Sequence, residues 1–277
     1  MKTQVVDPFG LELTLAGNAL SSVSIEDVRA WVAEHHVVVL RDVEPPNDDE
    51  ILSFGRGLGE ILEWQFGAIN ELRTDPNAKN YLYTHREVPF HWDGAFVGRI
   101  PQFIFFHCAD AGPAGSGGAT LFCDTIGLVS QLDEATLKRW RKVSITYQTE
   151  KIVHYGGEFT ASLIDEHPIT KQTVLRFAEP VEDLNPVRLT VEGIPEDEQP
   201  QFLVQMAELL RDTSVCYAHA WRKNDIVLAD NFALLHGRRE FSLTAARHLR
   251  RLRSEEHTSE LQSRRNLVCR LLREKKK

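Results

Sequence analysis

The chain has 277 residues, of which 42% are hydrophobic and 9% aromatic, and its formal net charge is −8 at pH 7. This composition is typical of a globular protein with a real core, and the acidic balance argues against a nucleic-acid partner, whose binding surface is normally basic. No apolar run approaches the roughly 20 residues of a membrane helix, and the N-terminal segment lacks the apolar stretch of a signal peptide, so we expect no membrane partner. Four cysteines without CxxC spacing are expected to be reduced thiols in a cytoplasmic protein.

Hydrophobic periodicity and breaker residues predict short strands with a few helices. The predicted elements, in chain order, are a helix to about His35 after a capping box at 24–27, a strand at 36–43, a helix at 48–58 that Gly59 ends, strands at 101–110 and 120–125, two helices within 126–142, strands at 143–149, 152–155 and 173–177, and a helix at 196–212. Residues 225–230 and 232–238 then predict a hairpin joined tightly through Asp230 and Asn231.

This pattern indicates a mainly β protein, a barrel or sandwich with helical decoration. The spacing of the elements is too irregular for a doubly wound α/β fold, and the sequence contains neither GxGxxG nor a phosphate-binding GxxxxGK motif. The glycine-rich stretch at 112–120 is therefore interpreted as a flexible loop.

The character of the chain changes at Arg253. Residues 253–277 are polar, lack a core pattern and end in a lysine run, which by itself would suit a solvated basic tail. The stretch RSEEHTSELQS followed by NLVCRLLREKKK resembles the conceptual translation of a sequencing-library adapter, so we interpret it as a non-native tail. The sequence thus predicts one domain over residues 1–252 and no well-packed structure beyond about residue 252.

The segment PFHWDGAF contains the first candidate metal ligands. His91 and Asp93 lie two positions apart, and residues i and i+2 of a strand point to the same face. His236, in DNFALLHGR, is the best candidate for a third ligand. Two histidines and one carboxylate leave three coordination positions open, an arrangement that suits non-haem Fe(II). An HxD pair alone is common by chance, and a lone histidine before glycine more often belongs to a turn or a core.

Further motifs carry a resemblance to a known family. The succession of HWD, GGATLFCDT and DNFALLHGRREF, followed by Arg247 and Arg251, resembles the taurine dioxygenase (TauD/TfdA) family of Fe(II)- and 2-oxoglutarate-dependent oxygenases over residues 30–251. The resemblance implies a double-stranded β-helix, or jelly roll, with iron held by His91, Asp93 and His236 and with 2-oxoglutarate and O2 as cosubstrates.

The same resemblance implies the cosubstrate site. Thr120 and Arg247 match the positions that bind 2-oxoglutarate, and Arg247 follows His236 by the spacing of the family. A guanidinium offers a bidentate fork to a carboxylate, which is the reason for arginine rather than lysine at this position. Arg251 matches a position that reaches the cosubstrate or an anionic substrate, although a basic surface face would also explain it.

Within the family, residues 59–96 are similar to the PvcB-type isocyanide (isonitrile) biosynthesis oxygenases of secondary metabolism. This similarity implies a small-molecule substrate, a tyrosine- or tryptophan-derived isonitrile, and formation of a vinyl isonitrile by oxidative decarboxylation or desaturation. Phe90, Trp92 and Phe96 are candidates for an apolar slot, although each is more commonly a core residue. Arg86, Arg251 and Lys151 are candidates for the cation that binds the substrate carboxylate.

Two other functions stay open at this point. One is hydroxylation of a different small anion, such as a sulfonate or an amino acid, by an oxygenase of the same family. The other is a cupin-like metal-binding protein without turnover, which Thr120 and Arg247 disfavour because a simple metal site needs no cosubstrate clamp. The sequence leaves the oligomeric state, the choice between phenol and indole, and the choice between the two reactions open.

Overall fold

The computed structural model of the protein describes residues 2–255, apart from residues 64–66, 76, 79, 153–154 and 244 and the side chains of residues 151, 152 and 155. The strands are β1 (Lys2–Val5), β2 (Leu11–Thr14), β3 (Val37–Arg41), β4 (Glu60–Ile61), β5 (Asn70–Arg73), β6 (Val88–His91), β7 (Phe103–Asp110), β8 (Thr120–Asp124), β9 (Ser144–Ile152), β10 (Tyr155–Ser162), β11 (Ile164–Glu166), β12 (Thr173–Leu175), β13 (Arg188–Glu192), β14 (Cys216–His219), β15 (Ile226–Asp230), β16 (Leu234–Arg238) and β17 (His248–Glu255).

The helices are α1 (Ile25–His35), α2 (Asp48–Leu58), α3 (Thr125–Ser130), α4 (Glu134–Trp140) and α5 (Gln199–Leu210). Ser24 caps α1 with its hydroxyl, which accepts the Asp27 N–H, and α2 ends at Gly59. Both boundaries agree with the sequence prediction. None of the helices in the described part of the chain is long and apolar enough to cross a bilayer.

Two sheets form the centre of the fold. In the described residues the larger has eight strands, in the order β1-β2-β3-β15-β7-β17-β4, with β5 paired to β17, and the smaller has four strands, in the order β14-β8-β16-β6. Nearly all the strand pairs are antiparallel; β2 and β3 pair in parallel. Phe106 of the larger sheet and Phe122 and Leu234 of the smaller belong to one buried cluster between the sheets. The predicted β-rich fold with helical decoration is confirmed as a jelly roll.

The alternation of side chains along β7 explains how the helices attach. Ile104 and Phe106 face the cluster between the sheets, whereas Phe103 and Phe105 face the opposite side and pack with residues of α1 and α2. Because successive residues of a strand point to opposite faces, one apolar strand serves two cores. A third cluster packs α3, α4 and α5 against the outer side of the smaller sheet and the strands from β9 to β13.

The prediction of a hairpin at 225–238 is wrong. Its two strands form, but β15 pairs with β3 and β7 in the larger sheet, whereas β16 pairs with β6 and β8 in the smaller one. The turn between them is tight because the Asp230 carboxylate accepts the backbone N–H groups of Phe232 and Ala233. Every residue of both strands is buried, as expected for strands with neighbours on both sides.

The final strand extends past the predicted domain boundary. β17 continues to Glu255, with Arg253 and Ser254 buried and the Ser254 hydroxyl donating to the carbonyl of Gly55 at 3.1 Å. The expectation of no packed structure beyond residue 252 is therefore wrong for these three residues, because the backbone ladder with β7 and β4 continues and a serine fits the gap beside α2. Residues 256–277 lie outside the described residues, and their assignment to a non-native tail stays a prediction.

Candidate active site

The three predicted metal ligands come together at one end of the smaller sheet. His91 is the last residue of β6 and pairs with His236 of β16, so their ring centroids lie 4.3 Å apart. Asp93 follows two residues later. One ligand atom from each of the three side chains lies within 4.8 Å of the other two, a spacing that allows all three to coordinate a single ion.

Asp93 reaches this position without the strand geometry that the sequence predicted. β6 ends at His91, and Asp93 lies in the turn that follows. The side-chain amide of Asn231 holds this turn: its oxygen accepts the Asp93 N–H at 2.9 Å, and its nitrogen donates to the carbonyl oxygens of Asp93 at 3.0 Å and of Pro101 at 2.9 Å. Asn231, which lies between β15 and β16, therefore also holds the backbone of the ligand residue Asp93 in place after the end of β6.

Neighbouring charges keep the Asp93 carboxylate ionised. Burial alone would raise the pKa of Asp93, but the cations of Arg251 and Arg253 outweigh it and hold that pKa well below its usual range. One terminal nitrogen of each guanidinium lies 3.2 Å (Arg251) and 3.4 Å (Arg253) from Asp93 Oδ2. The carboxylate is thus available as an anionic ligand across the physiological pH range.

The two imidazoles are held neutral. Burial lowers the pKa of His91 and lowers that of His236 well below the ordinary value for histidine. Nε2 of His236 is buried and has no hydrogen-bond partner among the described residues, a costly arrangement unless something else binds this nitrogen. Nδ1 of His91 contacts the carbonyl oxygen of Pro89 at 2.9 Å, which leaves Nε2 as the ligand atom. Two neutral imidazoles and one carboxylate fit a divalent iron ion.

Thr120 and Arg247 lie on the same side of the smaller sheet as the triad. Thr120 pairs across from Arg238, and Phe122, two residues later, pairs across from His236, so Thr120 and His236 share a face. The Arg247 side chain passes over Gly118, where a Cβ would lie 3.1 Å from its Cδ and its Nε. A larger residue at Gly118 would crowd the Arg247 side chain and would be strained at the positive φ of +77°.

Arg247 is a buried cation without a counter-charge. The residue is 6% exposed. Within the described residues its guanidinium forms no ion pair or hydrogen bond, and no carboxylate influences its pKa. Its guanidinium carbon lies 5.6 Å from the centre of the Phe241 ring. Burial lowers the pKa of Arg247 to about 10. A desolvated guanidinium of this kind indicates an anion-binding position.

A cavity of about 530 Å³ opens beside the triad, and His91, Asp93, Arg251 and Arg253 line it. Its apolar wall contains the three aromatic residues that the sequence suggested, Phe90, Trp92 and Phe96, together with Tyr147. Burial raises the pKa of Tyr147, so its hydroxyl stays protonated, and the hydroxyl oxygen accepts the N–H of Ala178 at 3.1 Å.

Of the three residues that the sequence suggested for binding the substrate carboxylate, two have described side chains, which lie in different environments. Arg251 lines the cavity, and its Nε is buried without a hydrogen-bond partner among the described residues. Arg86 is exposed and forms an ion pair with Asp183. The side chain of Lys151 lies outside the described residues. Sequence reasoning missed Arg253, which it had placed in the tail, and Tyr147, whose strand-like context carries no signal of a site.

Comparison with known proteins places the chain in a family. The profile of the taurine catabolism dioxygenase TauD, TfdA family matches residues 3–253, so the chain belongs to this family, as the sequence motifs predicted. It is 42% identical over 251 residues to a 3-((Z)-2-isocyanoethenyl)-1H-indole synthase of Fischerella ambigua, covering 88% of this chain and 92% of the relative. It is 34% identical over 231 residues to a tyrosine isonitrile desaturase of Pseudomonas aeruginosa, covering 81% of this chain and 79% of the relative.

A solved structure agrees with these relatives. The fold superposes with a TM-score of 0.74 on PvcB, described as an Fe, alpha-ketoglutarate dependent oxygenase from an isonitrile synthetic pathway, at 30% identity, covering 89% of this chain and 86% of the other. The enzyme class predicted from the sequence is confirmed. The roles of the individual site residues stay predictions.

Proposed function

We propose that the protein is an Fe(II)- and 2-oxoglutarate-dependent oxygenase that converts a tyrosine- or tryptophan-derived isonitrile into a vinyl isonitrile. The observation that supports this proposal most strongly is that a metal site and a buried, unpaired guanidinium lie in the same protein interior. His91, Asp93 and His236 can share one ion, and the buried guanidinium of Arg247 lies without a counter-charge on the same side of the smaller sheet. A metal site alone would not explain such a cation.

Some residues of the chain would bind the iron and the cosubstrate, and others would exclude water from the site. His91, Asp93 and His236 would hold the iron, and Thr120 and Arg247 would bind the distal carboxylate of 2-oxoglutarate. When bound, iron, 2-oxoglutarate and O2 supply the oxidising power that removes hydrogen from the substrate. The apolar wall beside the triad would keep bulk water away from the reacting carbon, and the cavity would hold the substrate beside His91 and Asp93.

The cavity suits an aromatic amino-acid derivative. Its volume of about 530 Å³ is within the range for small-molecule sites, and Phe90, Phe96 and Tyr147 contribute apolar lining that suits an aromatic side chain. Arg251 would bind the substrate carboxylate, because this guanidinium lines the cavity and has a buried Nε without a partner among the described residues. The relatives' names support both an indole-derived and a tyrosine-derived isonitrile.

The test is turnover with both isonitriles. Purified protein with Fe(II), 2-oxoglutarate and O2 should form succinate in proportion to a product detected by mass spectrometry. A product lighter by CO2 and two hydrogens indicates oxidative decarboxylation, and one lighter by two hydrogens alone indicates desaturation. The Asp93→Ala variant, which lacks one of the three proposed metal ligands, serves as the inactive control. If neither isonitrile stimulates succinate formation while a sulfonate or another amino acid does, the proposed substrate class is wrong.

Two further predictions from the sequence belong to this proposal. A cytoplasmic location is supported by three free cysteines in the described residues. We also expect a small-molecule substrate and no nucleic-acid or membrane partner, which the net charge of −8 supports for nucleic acid.

A further inference from the structure

The donor and acceptor roles of the Thr120 hydroxyl group are fixed by its hydrogen bond to Trp221. Its oxygen accepts a hydrogen bond from the indole Nε1 of Trp221 at 2.9 Å, and no other described residue bonds this hydroxyl. An indole N–H can only donate, so the threonine oxygen is the acceptor in this pair. The proton of the hydroxyl is then left to donate to a different group.

No described residue accepts this proton in a hydrogen bond, so it is available to a bound ligand. Arg238 lies directly across from Thr120, but a guanidinium has no acceptor. Arg247 passes over Gly118, two residues before Thr120, and is likewise a donor only. A hydroxyl and a guanidinium that both lack an acceptor among the described residues, on neighbouring segments, favour the binding of a carboxylate here.

The indole of Trp221 is held from several sides. Trp221 lies in the turn between β14 and β15, where the buried carboxylate of Asp225 accepts the backbone N–H of Arg222 at 2.7 Å and forms an ion pair with Arg41. The His219 ring stands edge-on to the indole, with centroids 4.5 Å apart. A ring fixed in this way offers its N–H in one direction, so it restricts the rotation of the threonine hydroxyl.

We propose that Trp221 is a positioning residue for the cosubstrate: its indole N–H orients the Thr120 hydroxyl so that the O–H donates to the distal carboxylate of 2-oxoglutarate beside Arg247. This inference rests on the proposed function. It adds a residue that does not touch the cosubstrate and acts through one that does. Losing Trp221 should therefore weaken cosubstrate binding and leave substrate binding in the cavity beside His91 unaffected.

The experiment is a double-mutant cycle read out by binding. The dissociation constant of 2-oxoglutarate is measured by calorimetry with Mn(II), which holds the metal site without turnover, for wild type, Trp221→Phe, Thr120→Val and the double variant. We expect Trp221→Phe to weaken binding about 5-fold to 10-fold, the equivalent of one hydrogen bond between neutral groups. In the Thr120→Val background the same change should alter binding by less than about 2-fold, because a residue that acts through Thr120 has no effect without it.

Two outcomes would overturn the inference. One is an unchanged dissociation constant in Trp221→Phe, and the other is an equal loss in both backgrounds, which would mean that the indole acts by packing. Trp140→Phe, in the core around α4 and α5, controls for loss of an indole elsewhere. Arg247→Met separates this inference from the proposed function. If Arg247→Met and Thr120→Val both leave binding intact, the cosubstrate site itself is misplaced; if they weaken it and Trp221→Phe does not, the role of Trp221 alone is wrong.

Discussion

The two ends of the site differ in whether their buried charges are paired. We call the region of the His91, Asp93 and His236 triad the metal end, and the region of Thr120 and Arg247 the cosubstrate end. At the metal end, the carboxylate of Asp93 lies against the guanidinium groups of Arg251 and Arg253. At the cosubstrate end, Arg247 is equally buried but meets no carboxylate among the described residues. The arginines belong to one short stretch of chain, so their different surroundings arise from the facing sheet rather than from local sequence.

This difference separates a cluster of buried charges that contains its own carboxylate from a buried cation that awaits one. The ion pairs around Asp93 hold this ligand in place, and breaking them costs stability because Arg251 and Arg253 lose the counter-charge that they share. A buried guanidinium without a partner costs stability, and that cost is recovered when an anion binds. Removing charge should therefore have opposite effects on folding stability at the two ends.

The largest expected effect is at the metal end. Asp93→Ala should reduce turnover to background, because it removes the carboxylate ligand, and bound iron measured by metal analysis should fall with it. The metal-free variant should also be less stable to denaturant, by roughly 3 kcal/mol, because Arg251 and Arg253 lose their shared counter-charge. His91→Ala is the matched control: it should lose iron and turnover but keep the ion pairs. Full iron content in Asp93→Ala would refute the assignment of this ligand.

At the cosubstrate end the sign of the stability change should reverse. Arg247→Met should raise the dissociation constant of 2-oxoglutarate about 100-fold, which corresponds to the loss of roughly 3 kcal/mol. Without cosubstrate, its free energy of unfolding should equal or exceed that of wild type, because the variant no longer buries an unpaired cation. Both quantities are measured by denaturation with and without 2-oxoglutarate.

Arg238→Met is the control for Arg247→Met. Arg238 is also buried, and burial lowers its pKa to about 9, but its guanidinium donates to the carbonyl oxygens of Leu82, Thr84 and Arg86. Its loss should lower stability by about 1 to 3 kcal/mol, because three carbonyl groups lose their donor. A clear loss of cosubstrate-free stability in Arg247→Met as well would contradict the proposed contrast between the two ends.

The sequence was sufficient for the ligand chemistry and for local elements. His91, Asp93 and His236 were recognisable because a metal site demands particular residue types, and the structure places them around one point. Helix α2 was predictable because its start and its stop signal at Gly59 are local. Such features depend on residues close to one another in the chain or on side-chain types that few other roles require.

What the sequence could not provide depends on distant contacts. The tight turn at Asp230 was predicted, but nothing local says that β15 and β16 diverge into different sheets, since strand pairing is decided by neighbours far along the chain. The position of Asp93 was correct for a reason other than the predicted strand geometry. The strand that includes Arg253 was missed because the tail resemblance outweighed any local strand signal.

The smallest effect in this comparison is expected at Asn231, which connects the metal end to the turn between the sheets. In Asn231→Asp the side chain can still accept the Asp93 N–H, but it can no longer donate to the carbonyls of Asp93 and Pro101. We expect about 10-fold weaker Fe(II) binding, typical for loss of a group that orients a ligand, with 2-oxoglutarate binding at Arg247 little changed once iron is saturating.

Asp230→Asn is the neighbouring control for Asn231→Asp. This change keeps an oxygen for the N–H groups of Phe232 and Ala233 and touches no metal ligand directly. Fe(II) titration of both variants, with unfolding measured in parallel, distinguishes the two roles. If Asn231→Asp loses stability while its iron affinity stays at the wild-type value, Asn231 only joins the sheets. If iron affinity falls in Asn231→Asp and not in Asp230→Asn, the amide acts on Asp93, because the two variants share one turn and differ in contact with the ligand.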